Sequence, residues 1–345
     1  MKTFLINLLI VLAGLIVVEL VFGSWFRKQN QLERNLQIEM DRIGYYPLKG
    51  LYKSDNDIIK YSRDQYGLRG ELSWNHPEKI DILTIGGSTT AQRTITDGLT
   101  WQDVLQNELM KDNKNMIISN AGIDGRTTIG HIKDFEMWFP QIPDLSPKYI
   151  LFYIGINDLI VVDNDIDADL YSFDNEYIKQ NSAIWNLLRR IQGALLAKTA
   201  RANHASVNFS QVKYIDKGVK TEEEFGEYKR KADVNFRNRL LRLIELTEAM
   251  GAEPVFITQT VRTFKYTEDQ TRVGAEEFGG IDYYNMLNEL NKIIYEVAGD
   301  KYIVVELTEL RIWEDGDFYD FFHNTPSGAQ KIGVEIYKQI KDKIN

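Results

Sequence analysis

The 345-residue chain contains no cysteine. That removes disulfides, a thiolate nucleophile and cysteine-ligated zinc, and it leaves the redox compartment unspecified. Histidine is scarce: the chain has four, His76, His131, His204 and His323, so any chemistry that needs an imidazole near neutral pH must draw on one of these. An excess of positive charge is missing too. Lys and Arg total 41 against 50 Asp and Glu, a formal net charge of -9 with no long basic stripe, which argues against a nucleic-acid partner. Internal repeats and low-complexity tracts are absent. What is present, 43% hydrophobic and 26% charged residues, suffices to bury a full core and excludes disorder throughout.

Phe4 to Phe26 is almost uninterrupted apolar sequence, flanked by Lys2 and by Arg27-Lys28. It has about the 20 residues a helix needs to cross a bilayer, and it exceeds the roughly 7 to 15 residues of a signal-peptide core. A signal anchor over residues 1–28 is therefore expected, with cleavage after Val21-Phe-Gly23 and secretion as the competing reading. Glu19, near the end of the run, is expected to snorkel toward the headgroups. Basic residues at both ends leave orientation open. A signal-like N-terminus is most simply an export signal, so the following domain is expected in the periplasm or at the cell surface. Leu32, Leu36, Met40 and Ile43 have helical spacing and predict a juxtamembrane helix, with a linker completing residues 29–59. Tyr66 to Gly70 reads as a strand and loop in which Arg69 makes a structural ion pair.

The main domain, residues 60–345, is organised around Lys79 to Thr90, an apolar run with Ile80, Ile82, Leu83 and Ile85 that ends in Gly86-Gly87-Ser88. This predicts a buried strand, a tight turn and a serine exposed at the carboxyl end of the strand, where open α/β sheets bind ligands. A phosphate loop fits the same geometry but lacks its lysine. Leu99–Lys111 is a predicted helix and Asn115–Asn120 a strand running into the turn Ala121-Gly-Ile-Asp-Gly125. Thr127–Gln141 is a helix and Lys148–Ile154 a strand ending in Gly155-Ile-Asn-Asp158. Residues 236–250 and Ile281–Val297 are helices, and Pro254–Thr258 and Tyr302–Leu307 strands. Five strands alternating with helices predict a three-layer α/β/α sandwich with a mostly parallel sheet. The last helix starts at Thr325 as N-cap and Pro326 as first residue. Just before it stands Asp320-Phe-Phe-His323.

Residues 159–220 interrupt this alternation. Ile184 to Ala197 is apolar and helical, which predicts a cap or lid near the site; a membrane-surface or partner-binding helix competes. The acidic run Asp163 to Asp169 fails as a calcium loop, with Ala168 where glycine is needed.

Gly86-Gly-Ser-Thr-Thr90, Asn120-Ala-Gly122, Gly155-Ile-Asn-Asp158 and Asp320-Phe-Phe-His323, in this order at strand ends, resemble the four blocks of the SGNH or GDSL-type hydrolase superfamily. The one departure is Gly87, where the family has Asp. The resemblance implies a flavodoxin-like sheet and a serine esterase working through an acyl-enzyme, with no cofactor and no metal. A serine hydroxyl needs a base, and His323 is the available imidazole, with Asp320 to hold it. For the oxyanion hole the resemblance nominates the backbone N–H groups of Ser88 and Gly122 and the side-chain amide of Asn157. Asp158 is expected to brace its loop. The expected substrate is an acyl ester, in particular an acetylated polysaccharide or another cell-envelope ester, and the N-terminal helix brings the membrane as partner. An O-acyltransferase acting on a glycan and an inactive glycan-binding module are the alternatives.

Overall fold

The computed structural model describes residues 2–23, 25, 40–54, 56–162, 182–184, 187 and 205–345. It divides into two units, residues 1–38 with 167–204, and residues 39–166 with 205–345.

In the first unit α1 (Lys2–Phe22) is a 21-residue helix, about 31 Å long at 1.5 Å per residue. Side chains are described along only part of it, and among the residues so described no helix is long and apolar enough to cross a membrane. The expected span therefore rests on the sequence. Glu19 is not left to reach for headgroups. Its carboxylate accepts from Trp25 Nε1 at 2.9 Å, Ser182 Oγ at 2.6 Å and the Ala183 and Ile184 amides at 2.9 and 3.2 Å.

The second unit opens with β1 (Arg42–Pro47) and β2 (Ile58–Arg63), an antiparallel pair. Ile43, expected on a helix, lies in β1, where half-buried and exposed residues alternate with the period of a strand. This hairpin also runs across the expected linker boundary at residue 59. Then come β3 (Ile82–Gly86), α2 (Ser88–Ala91), α3 (Trp101–Lys111), β4 (Ile118–Asn120), α4 (Thr128–Met137) and β5 (Tyr149–Tyr153). After the insertion follow β6 (Tyr214–Ile215), α5 (Glu222–Lys231), α6 (Arg237–Ala249), β7 (Glu253–Ile257), β8 (Phe264–Tyr266) and β9 (Arg272–Ala275). The chain closes with α7 (Ile281–Ala298), β10 (Ile303–Val305) and α8 (Pro326–Ile340).

The five expected strands form one sheet in the order β10-β7-β5-β3-β4, and every pairing in it is parallel. This is the flavodoxin-like order, whose switch point lies between the first and third strands, here β3 and β5. Strands covered on both faces need apolar residues at every position, and β3 and β5 are buried throughout. On one face Tyr153, Leu151, Val255 and Ile257 join Trp101 and Leu105 of α3 and Ile332 and Ile336 of α8 in a single core. The opposite face carries Phe152, stacked between Phe135 of α4 and Phe256 at centroid distances of 6.3 and 5.5 Å. Each such buried side chain is worth about 1.5–3 kcal/mol. Helix starts follow the sequence signals: Thr100 and Asp103 form a reciprocal capping box on α3, and Thr325 accepts the Gly328 amide at 3.3 Å on α8.

A small antiparallel sheet, β6-β9-β8, was not anticipated. Its strands are two to four residues long, too short for a two-residue period to register. The acidic run at 163–169 lies outside the described residues, as does the expected cap helix except for Ile184 and Leu187.

Two fully buried charges hold the turn after β5 to α4. Asp158 accepts from the Thr128 amide at 3.0 Å and the Thr128 hydroxyl at 2.5 Å, and faces Arg239 of α6 at 3.7 Å. Burial pushes the Asp158 carboxyl up, against the pull of Arg239 and Thr128. This is the expected bracing role. Asp158→Ala leaves a buried cation short of its counter-charge and strips the start of α4 of its acceptor. We expect a loss of about 3 kcal/mol, read as a lower urea midpoint with unchanged slope.

Candidate active site

β3 ends at Gly86, and Gly87 precedes the one-turn helix α2, whose first residue is Ser88. The hydroxyl of Ser88 therefore stands at the carboxyl edge of the sheet beside the switch point. The chain returns to that edge after β10, in a loop pinched by a bridge between Phe318 and Asn324 and by the Tyr319 amide donating to the His323 carbonyl at 3.1 Å. Asp320 and His323 occupy this loop. His323 Nδ1 lies 2.8 and 3.0 Å from the two Asp320 oxygens, and His323 Nε2 lies 2.8 Å from Ser88 Oγ. The carboxylate sets the tautomer: Nδ1–H donates to Asp320, and Nε2 accepts the Ser88 proton. Asp320 Oδ1 also accepts the amides of Phe322 and His323, at 2.9 and 2.7 Å, which fixes the carboxylate against the backbone.

Tyr319 was not anticipated. Its ring stacks on the His323 imidazole at 5.6 Å and 10°, and its hydroxyl accepts from Thr94 Oγ1 at 3.2 Å. Burial pushes its phenol up, so the imidazole rests on a neutral ring. Nothing in the sequence around Tyr319 distinguishes it from a core aromatic.

Asn157 sits beside the turn that carries Ser88. Its Nδ2 donates to the Arg126 carbonyl at 2.8 Å, which leaves one N–H of the amide, and a Cβ on Gly87 would lie 2.4 Å from that nitrogen. Gly87, the one departure from the family blocks, thus has a local reason: the amide approaches where a side chain would stand.

Gly122 does not fit the role expected of it. Its N–H is occupied by Asn120 Oδ1 at 2.8 Å and its carbonyl by Arg63, and a Cβ there would lie 2.5 Å from the Ala91 amide nitrogen. It is a packing glycine under α2. The second glycine of the same turn, Gly125, is exposed at φ +72°, with nothing within 4 Å of its Cβ position. Its N–H has no acceptor among the described residues, and its neighbour Arg126 supplies the carbonyl that holds Asn157. The spacing Gly-Ile-Asp-Gly was visible in the sequence. Which glycine keeps an unengaged amide was not.

Of the other histidines, His76 lies in an exposed loop, 2.9 Å from Glu78, and His131 is buried in α4, 3.5 Å from Asp134. His204 lies outside the described residues. Arg69 makes the expected ion pair, with Asp97 at 2.8 Å, and also holds the carbonyls of Ala91, Gln92 and Ile95 at 2.8, 3.1 and 2.7 Å.

The two close-packed glycines separate turnover from stability. Gly87→Ala meets only the Asn157 amide closely, the next atom being 3.5 Å away, so it should fold normally and lose about 100-fold in kcat on an activated acetyl ester. Gly122→Ala meets backbone and should lower the melting temperature instead.

No protein-family model matches the chain, and no curated protein matches it. Among solved structures it is similar to a lipolytic protein of the G-D-S-L family from Desulfitobacterium hafniense (12% identity over 74% of this chain and 97% of that one, TM-score 0.40). It is also similar to a member of that family from Veillonella parvula (12%, 77% and 100%, TM-score 0.44) and to the acetylxylan esterase Axe2 from Geobacillus stearothermophilus (11%, 75% and 93%, TM-score 0.42).

Proposed function

We propose that the chain is a serine esterase that removes a small acyl group, acetyl in the first instance, from a carbohydrate or other cell-envelope ester. The observation that carries this reading is the hydrogen-bonded line Ser88–His323–Asp320 at the edge of the sheet. His323 Nε2 takes the hydroxyl proton as Ser88 Oγ attacks the acyl carbonyl, and Asp320 stabilises the imidazolium. The oxyanion is met by the Ser88 N–H at the start of α2, the Gly125 N–H and the remaining Asn157 Nδ2–H. Collapse expels the alcohol, which takes its proton from His323. Water then repeats the sequence on the acyl-enzyme and releases free acid and Ser88. No step calls for a metal or cofactor.

The apolar run Phe4–Phe26 supports a membrane tether and an extracytoplasmic active site. On this reading the full chain stays in the membrane fraction after alkaline carbonate extraction; recovery in the supernatant would remove the tether.

A fluorophosphonate should label Ser88 of the full chain in detergent. Ser88→Ala and Asp320→Asn should each lower kcat on an activated acetyl ester by about four orders of magnitude. Full activity in Ser88→Ala, or labelling elsewhere, would sink the mechanism.

A further inference from the structure

A second cleft lies between the stretch 261–266 on one side and Thr308, Leu310, Arg311 and Trp313 on the other. Its residues include three cations, Arg262, Lys265 and Arg311, and no carboxylate, in a chain whose formal net charge is -9. Two acids beside it are already engaged. Asp315 pairs with Arg262 at 2.5 Å, and Glu309 is held by Arg272 at 2.9 Å and by the hydroxyls of Tyr266 and Tyr284, both at 2.5 Å.

Lys265 and Arg311 are different. The Lys265 ammonium is half-buried, 4.2 Å from the centroid of the Tyr214 ring, with no carboxylate partner among the described residues. The Arg311 guanidinium lies 4.7 Å from the Tyr266 centroid and donates to the neutral Gln270 side chain. Aromatic faces hold both cations in place without neutralising them. Two cations seated over rings in one concave wall, neither in an ion pair among the described residues, favour an anion there.

The cleft shares its walls with the catalytic loop. The Arg262 amide donates to the Phe321 carbonyl at 2.8 Å, its guanidinium donates to the Trp313 carbonyl at 3.2 Å, and the Trp313 ring packs edge-on against Phe318 at 6.2 Å. Phe318 and Phe321 flank Asp320, so a molecule seated in this cleft runs beside the loop that carries His323. Its volume of about 90 Å³ is well above the roughly 10–15 Å³ that one water needs, so a carboxylate or phosphate group has room in it.

Resting on the esterase reading, we propose that this cleft binds an anionic group, carboxylate or phosphate, of the polymer that carries the scissile ester, so that the substrate is an acylated acidic polymer. The cations act on binding of the chain beyond the reacting carbonyl, and their contribution is screened by salt.

The test compares acetylated polygalacturonate with neutral acetylated glucomannan, using the full chain in detergent. The parent should show a lower KM for the acidic polymer, and that preference should shrink with added salt. In Lys265→Ala/Arg311→Ala the ratio of the KM for the neutral polymer to that for the acidic one should fall about tenfold, a small effect as expected of solvent-screened charges, and Lys265→Arg/Arg311→Lys should restore it. A second readout needs no turnover: titration of Ser88→Ala with polygalacturonate, with polyphosphate and with dextran. Binding of one polyanion and not the other identifies carboxylate or phosphate, and loss of that binding in the Lys265→Ala/Arg311→Ala background supports the cleft. Equal KM values at all salt concentrations, or polyanion binding that survives both substitutions, would overturn it. Polyanion binding by Ser88→Ala without ester hydrolysis by the parent would keep the cleft and overturn the esterase reading alone.

Discussion

Everything at the site depends on β3 lying between β4 and β5 with all three strands parallel. The register sets Thr84 against Asn120 and Gly86 against Tyr153. Each strand therefore releases its chain at the same edge, within a few residues of the others. Ser88 follows Gly86 by two residues, Asn157 follows Tyr153 by four, and the turn 121–125 begins at the residue after Asn120. The 2.8 Å contact between Ser88 and His323, groups 235 residues apart, exists because β10 also runs parallel in that sheet and delivers the last loop to the same edge. An antiparallel insertion of any of these strands would send its loop to the opposite end.

That edge is held by buried polar groups that bind backbone more than one another. Asn120 donates to the Thr90 carbonyl at 2.7 Å, and Gln102 to the same carbonyl at 3.0 Å. Arg69 takes the Ala91 and Gln92 carbonyls, and Arg63 takes those of Gly67 and Gly122. A one-turn helix such as α2 has too few internal bonds to hold itself. The carbonyls of Thr89, Thr90 and Ala91 are instead satisfied by Trp101 and Gln102 of α3, by Asn120 of β4 and by Arg69. Ser88 thus sits on a segment rigid through its neighbours, which is what the proposed reaction, sensitive to small displacements, requires.

Electrostatics divide the molecule in a similar way. Asp158 and Arg239 are buried with each other and with Thr128, and Asp320 is fixed by its imidazole and two amides. In the cleft beside the loop that carries His323, Lys265 and Arg311 lie over aromatic rings and make no ion pair among the described residues. In a chain of formal net charge -9, a cleft lined by cations and no carboxylate is a place where the long-range repulsion of anions is relieved.

The five strands, the helices between them and the start of α8 were legible because they are local: apolar runs ended by glycine, helical spacing, and Thr-Pro at a helix start depend only on neighbours in the chain. The residue types Ser88, Asp320 and His323 were legible for the same reason, as hydroxyl, carboxylate and imidazole at predicted strand ends. The hairpin at 42–63, the sheet β6-β9-β8, the stacking of Tyr319 and the cation-lined cleft were not, since each arises from pairing across the fold. The clearest case is the turn Gly122-Ile-Asp-Gly125. That the turn carries two glycines is written in the chain; their parts come from the fold, because Asn120 and Arg63 close on Gly122, while the Gly125 amide has no acceptor among the described residues and the next residue, Arg126, supplies the carbonyl that holds Asn157.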